Sequence, residues 1–238
     1  MPWTPASSHK EESARFISLA QLCIDERKRL GYPDEDARSI VFNNVFGCAE
    51  GAVAMLNLLH QWTDAPGKHI IPQLLGLTAT NQTNVNNVGS SVSGLAKFGF
   101  MFLAQAQIEN GLRNLARGLG TVNPALGFYN LATAIVAATA VPADRRDVLR
   151  IPAEMRNSLH NNGIFHGKHG QDFVATIGGV AFEFRHDQRV QCASMSHIAL
   201  AYSAAIEAFG EICRTTSVSN IAQPLMDHFS WDKLTAPA

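Results

Sequence analysis

Apolar residues recur at helical spacing through most of this chain and change to alternation once, in 172–186, so the chain can fold only as a helical protein with one short β insertion. A first helix is predicted over 11–30, with Phe16, Leu19, Ala20, Cys23 and Ile24 on one face, Ser7 or Ser8 as its cap, and Gly31 with Pro33 as its stop. A second runs from Asp34 to about Thr63 through Val41, Val45, Cys48, Ala52, Met55, Leu56 and Leu59, and breaks at 64–67. Gly47 and Gly51 lie inside it with Ala49, Ala52 and Ala54, a thin face that either admits another helix at close range or marks a kink. Residues 78–94 are polar, uncharged and weakly periodic, and read as a long loop.

Helical periodicity returns strongly over 95–119, where Gly118 and Gly120 end it, and continues in an apolar helix over 124–140. An amphipathic helix over 143–161 follows, in which Pro152 is expected to force a bend or a restart. Val174, Ile177, Val180, Phe182 and Phe184 around Gly178 and Gly179 then give a β-hairpin, and the last long helix spans 190–214. A turn and a short segment around Trp231 complete the chain. The fold class is therefore mostly α: an antiparallel helical bundle with a small β-hairpin inserted before the last long helix. Residues 1–94 form an N-terminal helical section and polar loop packed on the bundle, 95–214 the bundle with its hairpin at 172–186, and 215–238 a tail.

With 238 residues, 46% of them hydrophobic, the chain can bury a full core. Nineteen Lys and Arg against 20 Asp and Glu give a formal charge of −1, which excludes a protein that coats nucleic acid by bulk charge. A local basic face remains open: Arg113 and Arg117, then Arg145, Arg146, Arg150 and Arg156, would form one if their helices pack together. Four dispersed cysteines, 23, 48, 192 and 213, with no CxxC pair, read as buried thiols, and without an apolar leader the chain is expected to be cytoplasmic. The nearest approach to a membrane span, 118–143, is interrupted by Asn123, Pro124 and Asn130, and its apolar part falls short of the roughly 20 residues a bilayer needs, so it reads as a buried helix.

The chemistry concentrates in 150–170. Arg156 precedes His160 by four residues, which places a fixed cation and an imidazole on one helical face, and Asn161, Asn162 and Gly163 are suited to end the helix just beyond them. On a phosphodiester the imidazole would move protons and the guanidinium would fork onto phosphate oxygens. The structural alternative is that Arg156 pairs with Glu109 or Glu154 and His160 caps the helix C-terminus, where a cation is favoured. Glu109 and Asn110 lie mid-helix among apolar residues, and the carboxylate needs a partner such as Arg113 or Arg156. A metal reading would gather His160, His166, His169 and His186, without an HExxH or paired cysteines to support it. No glycine-rich phosphate loop, nucleophile elbow or dinucleotide fingerprint is present.

The run Arg156-Asn157-Ser158-Leu159-His160-Asn161-Asn162-Gly163, with 107–110 before it and the 177–182 hairpin after it, resembles the HEPN-like superfamily. Its members carry an Arg, often followed by Asn, ahead of a His on a helix of an α-helical bundle. Here the two are closer than is usual in that superfamily. The resemblance implies a homodimer that sets two Arg/His pairs in one cleft. It further implies metal-independent RNA cleavage giving 2′,3′-cyclic phosphate ends, in toxin or antiviral systems and under a regulatory or antitoxin partner. Arg156 and His160 would be catalytic, Asn157 would shape the cleft, and Glu109, Asn110 and Arg113 would support it, with Glu109 orienting Arg156. No metal or cofactor enters this scheme, and no membrane is involved. A non-catalytic HEPN-like module that binds a partner protein or a nucleotide is the alternative.

Overall fold

The computed structural model of the chain describes residues 3–63 and 82–228. Among them seven helices occur: α1 (His9–Leu30), α2 (Ala37–Thr63), α3 (Gln82–Leu119), α4 (Phe128–Thr139), α5 (Asp144–His160), α6 (Met195–Arg214) and α7 (Thr216–Ser219). Two small antiparallel sheets stand between α5 and α6: β2 (Phe173–Ile177) with β3 (Val180–Phe184), and β1 (Ile164–Phe165) with β4 (Gln188–Arg189). The chain is thus mostly α, a helical bundle with a hairpin inserted before its last long helix. Gly178 and Gly179 turn β2 into β3 with φ of 55° and 83°, the left-handed pair that a two-residue hairpin requires.

Ser8 caps α1 by accepting from the Glu11 N–H, and Gly31 closes it with φ 68°. Phe16, Leu19 and Cys23 of α1, Val41, Val45 and Leu56 of α2, Met101, Ile108 and Leu112 of α3, and Ile198, Tyr202 and Phe209 of α6 belong to one continuous buried core. Residue 94 falls inside α3, so the N-terminal helices and the later bundle share a helix as well as that core. Short connections join α1 to α2 and α4 to α5, the arrangement of antiparallel neighbours.

Three sequence expectations change. The expected loop at 78–94 is helical from Gln82 onward, with 78–81 outside the described residues; Val92, Ala96 and Phe100 pack a stripe on the core, and that tertiary packing outweighs the weak propensity of the Asn, Ser and Gly there. Gly47 and Gly51 receive no closely packed helix, since a Cβ at either would meet nothing within 4 Å, and α2 runs unbroken through both. Close approach occurs instead at glycines such as Gly111 of α3, where a Cβ would meet the side chains of Val41 in α2 and Phe209 in α6. Pro152, finally, does not restart the helix: α5 runs from Asp144 through it to His160, with Ile151, Pro152 and Ala153 buried.

The 118–143 stretch holds the last two residues of α3 and, after a turn, the 12 residues of α4. Among the described residues the helix long and apolar enough to cross a membrane is instead 37–61 of α2, 25 residues with a mean hydropathy of 1.3, and its Val41, Phe42, Val45, Ala49, Ala52, Leu56 and Leu59 are packed in the bundle. The expected break at 64–67 and the segment around Trp231 lie outside the described residues.

Candidate functional site

α5 ends as its sequence dictates. The Asn161 and Gly163 N–H groups both donate to the Ser158 carbonyl, at 3.0 and 2.8 Å, while Asn162 and Gly163 take φ of 55° and 83°. This stop leaves Arg156, Asn157 and His160 in the final turn and a half of the helix. Phe98 and Phe102 of α3 meet the His160 ring, and Glu109 and Arg113 lie further along α3 beside Arg150, Glu154 and Arg156. The two helices therefore run in opposite directions along a shared cleft of about 530 Å³.

Four cations line that cleft, Arg113, Arg150, Arg156 and Lys168, against three carboxylates, Glu109, Glu154 and Asp172. Most of this charge is already matched. Arg113 pairs with Glu109 and also donates to the carbonyls of Pro124 and Leu126. Arg150 donates to Glu154 at 2.8 Å, and its guanidinium lies 4.0 Å from the Phe173 ring centroid and 5.0 Å from that of Tyr129. Asp172 accepts from Arg185 and from the His186 N–H, at 3.0 and 2.8 Å.

Arg156 differs from its neighbours. Among the described residues it makes no ion pair; its Nη2 donates to the Asn157 side chain at 2.9 Å, and its Nε is buried without a partner. A buried donor left unmet, on a group that never gives up its charge, is a standing affinity for an anion. Its charge is felt in the core as well: burial pushes the Tyr202 phenol far above its ordinary range, and Arg156 pulls against that shift. Lys168, exposed on the turn after β1, is the second cleft cation without an ion pair among the described residues.

Of the residues read from the sequence, Glu109, Arg113, Arg156 and Asn157 come together in the cleft. Glu109 does not orient Arg156: its partner is Arg113, one helical turn away, and Glu154 is taken by Arg150. Asn110 projects from another part of α3 and is absent from the cleft wall. His160 is exposed at the helix end, its ring edge-on to Phe98 at 5.4 Å and Phe102 at 6.1 Å, and it does not line the cleft. The broad basic face does not form, because Arg145 is held by Glu211 and Asp144, and Arg146 by Asp147.

The histidines of the metal reading separate. His166 and His186 share Asp187, at 2.8 and 3.2 Å, and the His186 Nδ1 also accepts from the Gly167 N–H, while His160 sits elsewhere on the aromatic pair. No group of three or more His, Cys, Asp or Glu side chains among the described residues is arranged to hold a metal ion. The sequence offered little to single out Lys168 and Asp172, which reach the cleft only because the turn after β1 folds back against α5. Comparison of the chain with protein-family models, with characterised proteins and with solved structures finds no match.

Proposed function

We propose that this protein is a metal-independent endoribonuclease of HEPN type, acting at the C-terminal end of α5. The observation that carries the reading is Arg156, the one arginine of the cleft without a carboxylate partner among the described residues, with an exposed imidazole, His160, one turn further along the same helix. In this reaction neutral His160 takes the proton of an RNA 2′-hydroxyl, the 2′-oxygen attacks the adjacent phosphorus, and the bond to the 5′-oxygen breaks. The leaving oxygen takes a proton from an imidazolium, and the products carry a 2′,3′-cyclic phosphate and a 5′-hydroxyl. Arg156 stabilises the charge of the phosphorane, and Lys168 adds to the field that draws the phosphate in. A second copy of the chain would supply the second Arg/His pair, and a toxin or antiviral role under a regulatory partner follows from the same resemblance.

A second reading has its own support. His160 packs on two phenyl rings and, among the described residues, has no hydrogen-bonding side chain to orient its imidazole, which favours a module that binds a nucleotide or a partner without turnover. The two readings separate when wild type, Arg156→Ala and His160→Ala are incubated with a mixed RNA pool in EDTA. The ribonuclease cleaves in EDTA, and each substitution lowers the rate by about 100-fold or more while the thermal midpoint stays unchanged. A folded wild type that leaves the RNA intact identifies the binding module.

A further inference from the structure

We infer that Phe98 and Phe102 form a stacking platform for the unpaired bases of a single RNA strand, whose backbone passes from the Arg156 and Lys168 cleft, across His160, to a second basic recess holding Lys97 and Arg189. The choice of RNA as ligand rests on the ribonuclease reading above; the platform and the recess stand on separate observations. Phe98 and Phe102 are 39% and 44% exposed although both belong to a helix that carries much of the core. Their planes lie within 14° of each other with centroids 6.1 Å apart, so the two rings are nearly parallel, and the His160 ring stands steeply to both, at 76° to Phe98 and 69° to Phe102. Exposed aromatic side chains beside an exposed imidazole offer π surface on which the bases of a single strand can stack without sequence preference.

Charge points to nucleic acid rather than to an apolar partner. A recess of about 430 Å³ opens beside the platform, lined by Lys97, Leu159, Asn162, Gly163, Arg189 and Ser194 among others, and no carboxylate is among its lining residues. Neither Lys97 nor Arg189 makes an ion pair among the described residues. Leu159 and Asn162 bracket His160 in sequence, whereas Arg156 and Asn157, one turn back, line the cleft. His160 and the two rings consequently lie between two pairs of unmatched cations, Arg156 with Lys168 and Lys97 with Arg189. A polyanion with exposed bases satisfies both the cations and the rings; a duplex satisfies the cations alone, because its bases are already stacked.

The test is fluorescence anisotropy with a 2′-O-methylated oligonucleotide, which lacks the attacking hydroxyl and so is bound without being cut, offered as a single strand and as a duplex. Wild type binds the single strand more tightly than the duplex. Phe98→Ala with Phe102→Ala weakens single-strand binding by about tenfold or more at an unchanged thermal midpoint. Lys97→Ala and Arg189→Ala each reduce the slope of log affinity against log salt by roughly 0.7. Should the double alanine variant fail to fold, Phe98→Leu with Phe102→Leu keeps the apolar volume, removes the aromatic faces and is read in the same way. Equal affinity for strand and duplex overturns the platform, as does an unchanged dissociation constant in the ring variants. So does conversion of a wild-type dimer to monomers by those variants in light scattering, which would make the rings a pairing surface between copies. Single-strand binding that depends on the rings, with no cleavage of unmodified RNA, sinks the ribonuclease and leaves the platform; cleavage of unmodified RNA by a protein whose ring variants bind normally does the reverse.

Discussion

Arg156 and His197 are opposite uses of a basic side chain. Arg156 keeps a charge with no counter-ion among the described residues at a polar cleft, whereas His197, near the start of α6, is packed between Trp3 at 4.8 Å and Phe182 at 5.8 Å, with its Nδ1 2.7 Å from the Ser194 hydroxyl. Burial, and then the nearby Arg15 guanidinium, push the His197 imidazole below its ordinary value of 6.5. Above that value His197 is neutral in both the folded and the unfolded chain. Below it the unfolded chain takes up a proton that the folded chain refuses, so stability falls as pH falls. Urea unfolding followed from roughly pH 7 to pH 5 is expected to show this loss in wild type, and a shallower one in His197→Phe, which keeps a ring against Trp3. Identical slopes in the two proteins would assign the loss to other groups.

Between elements, the junction of α2 with the chain beyond α7 depends on one buried ion pair. Asp36 and Arg38 are both fully buried; Asp36 accepts from the Arg38 N–H at 2.9 Å, its Nε at 2.8 Å, its Nη2 at 2.6 Å and the Leu225 N–H at 2.8 Å. Arg38 in turn donates to the Val218 carbonyl at 3.0 Å and lies 3.6 Å from the Tyr32 ring centroid. Burial alone would push the Asp36 carboxyl up, and the hydrogen bonds from Arg38 and Leu225 outweigh it, holding the carboxyl below its ordinary range. Asp36→Ala leaves Arg38 buried and uncompensated, so the folded state is expected to lose about 3–5 kcal/mol in urea unfolding. A loss under about 1 kcal/mol would mean that water or another group takes over the guanidinium. Elements with strong signals were readable in the sequence: the Ser8 cap, the Asn161, Asn162 and Gly163 stop, and the Gly178 and Gly179 hairpin each follow from local backbone chemistry. The start of α3 was not, because 82–94 is rich in Asn, Ser and Gly of weak helix propensity, and α3 packs along α2, a contact distant in sequence. The pairing of Glu109 was ambiguous for a related reason, since Arg113 and Arg156 both lay within reach of a sequence argument and only the packing of α3 on α5 decides between them.

At the scale of the whole molecule, the bundle brings three distant stretches to one end of α5: the aromatic pair of α3, the Arg/His turn itself, and the β1 turn that carries Lys168. The long groove between α2 and α3, about 590 Å³ and lined by Gly47, Gly51, Gly99 and Leu103, lies on another face. The site is therefore a property of the fold and not of the 156–163 motif alone. In the proposed reaction RNA is cut there by transesterification, with Arg156 and His160 in place of a metal. The most direct measurement is end-group analysis of a 5′-labelled RNA oligonucleotide incubated with the wild-type protein in EDTA. Fragments ending in 2′,3′-cyclic phosphate, absent from reactions with His160→Ala, are the predicted result; fragments ending in 3′-hydroxyl, or an oligonucleotide left whole by a folded protein, would contradict it.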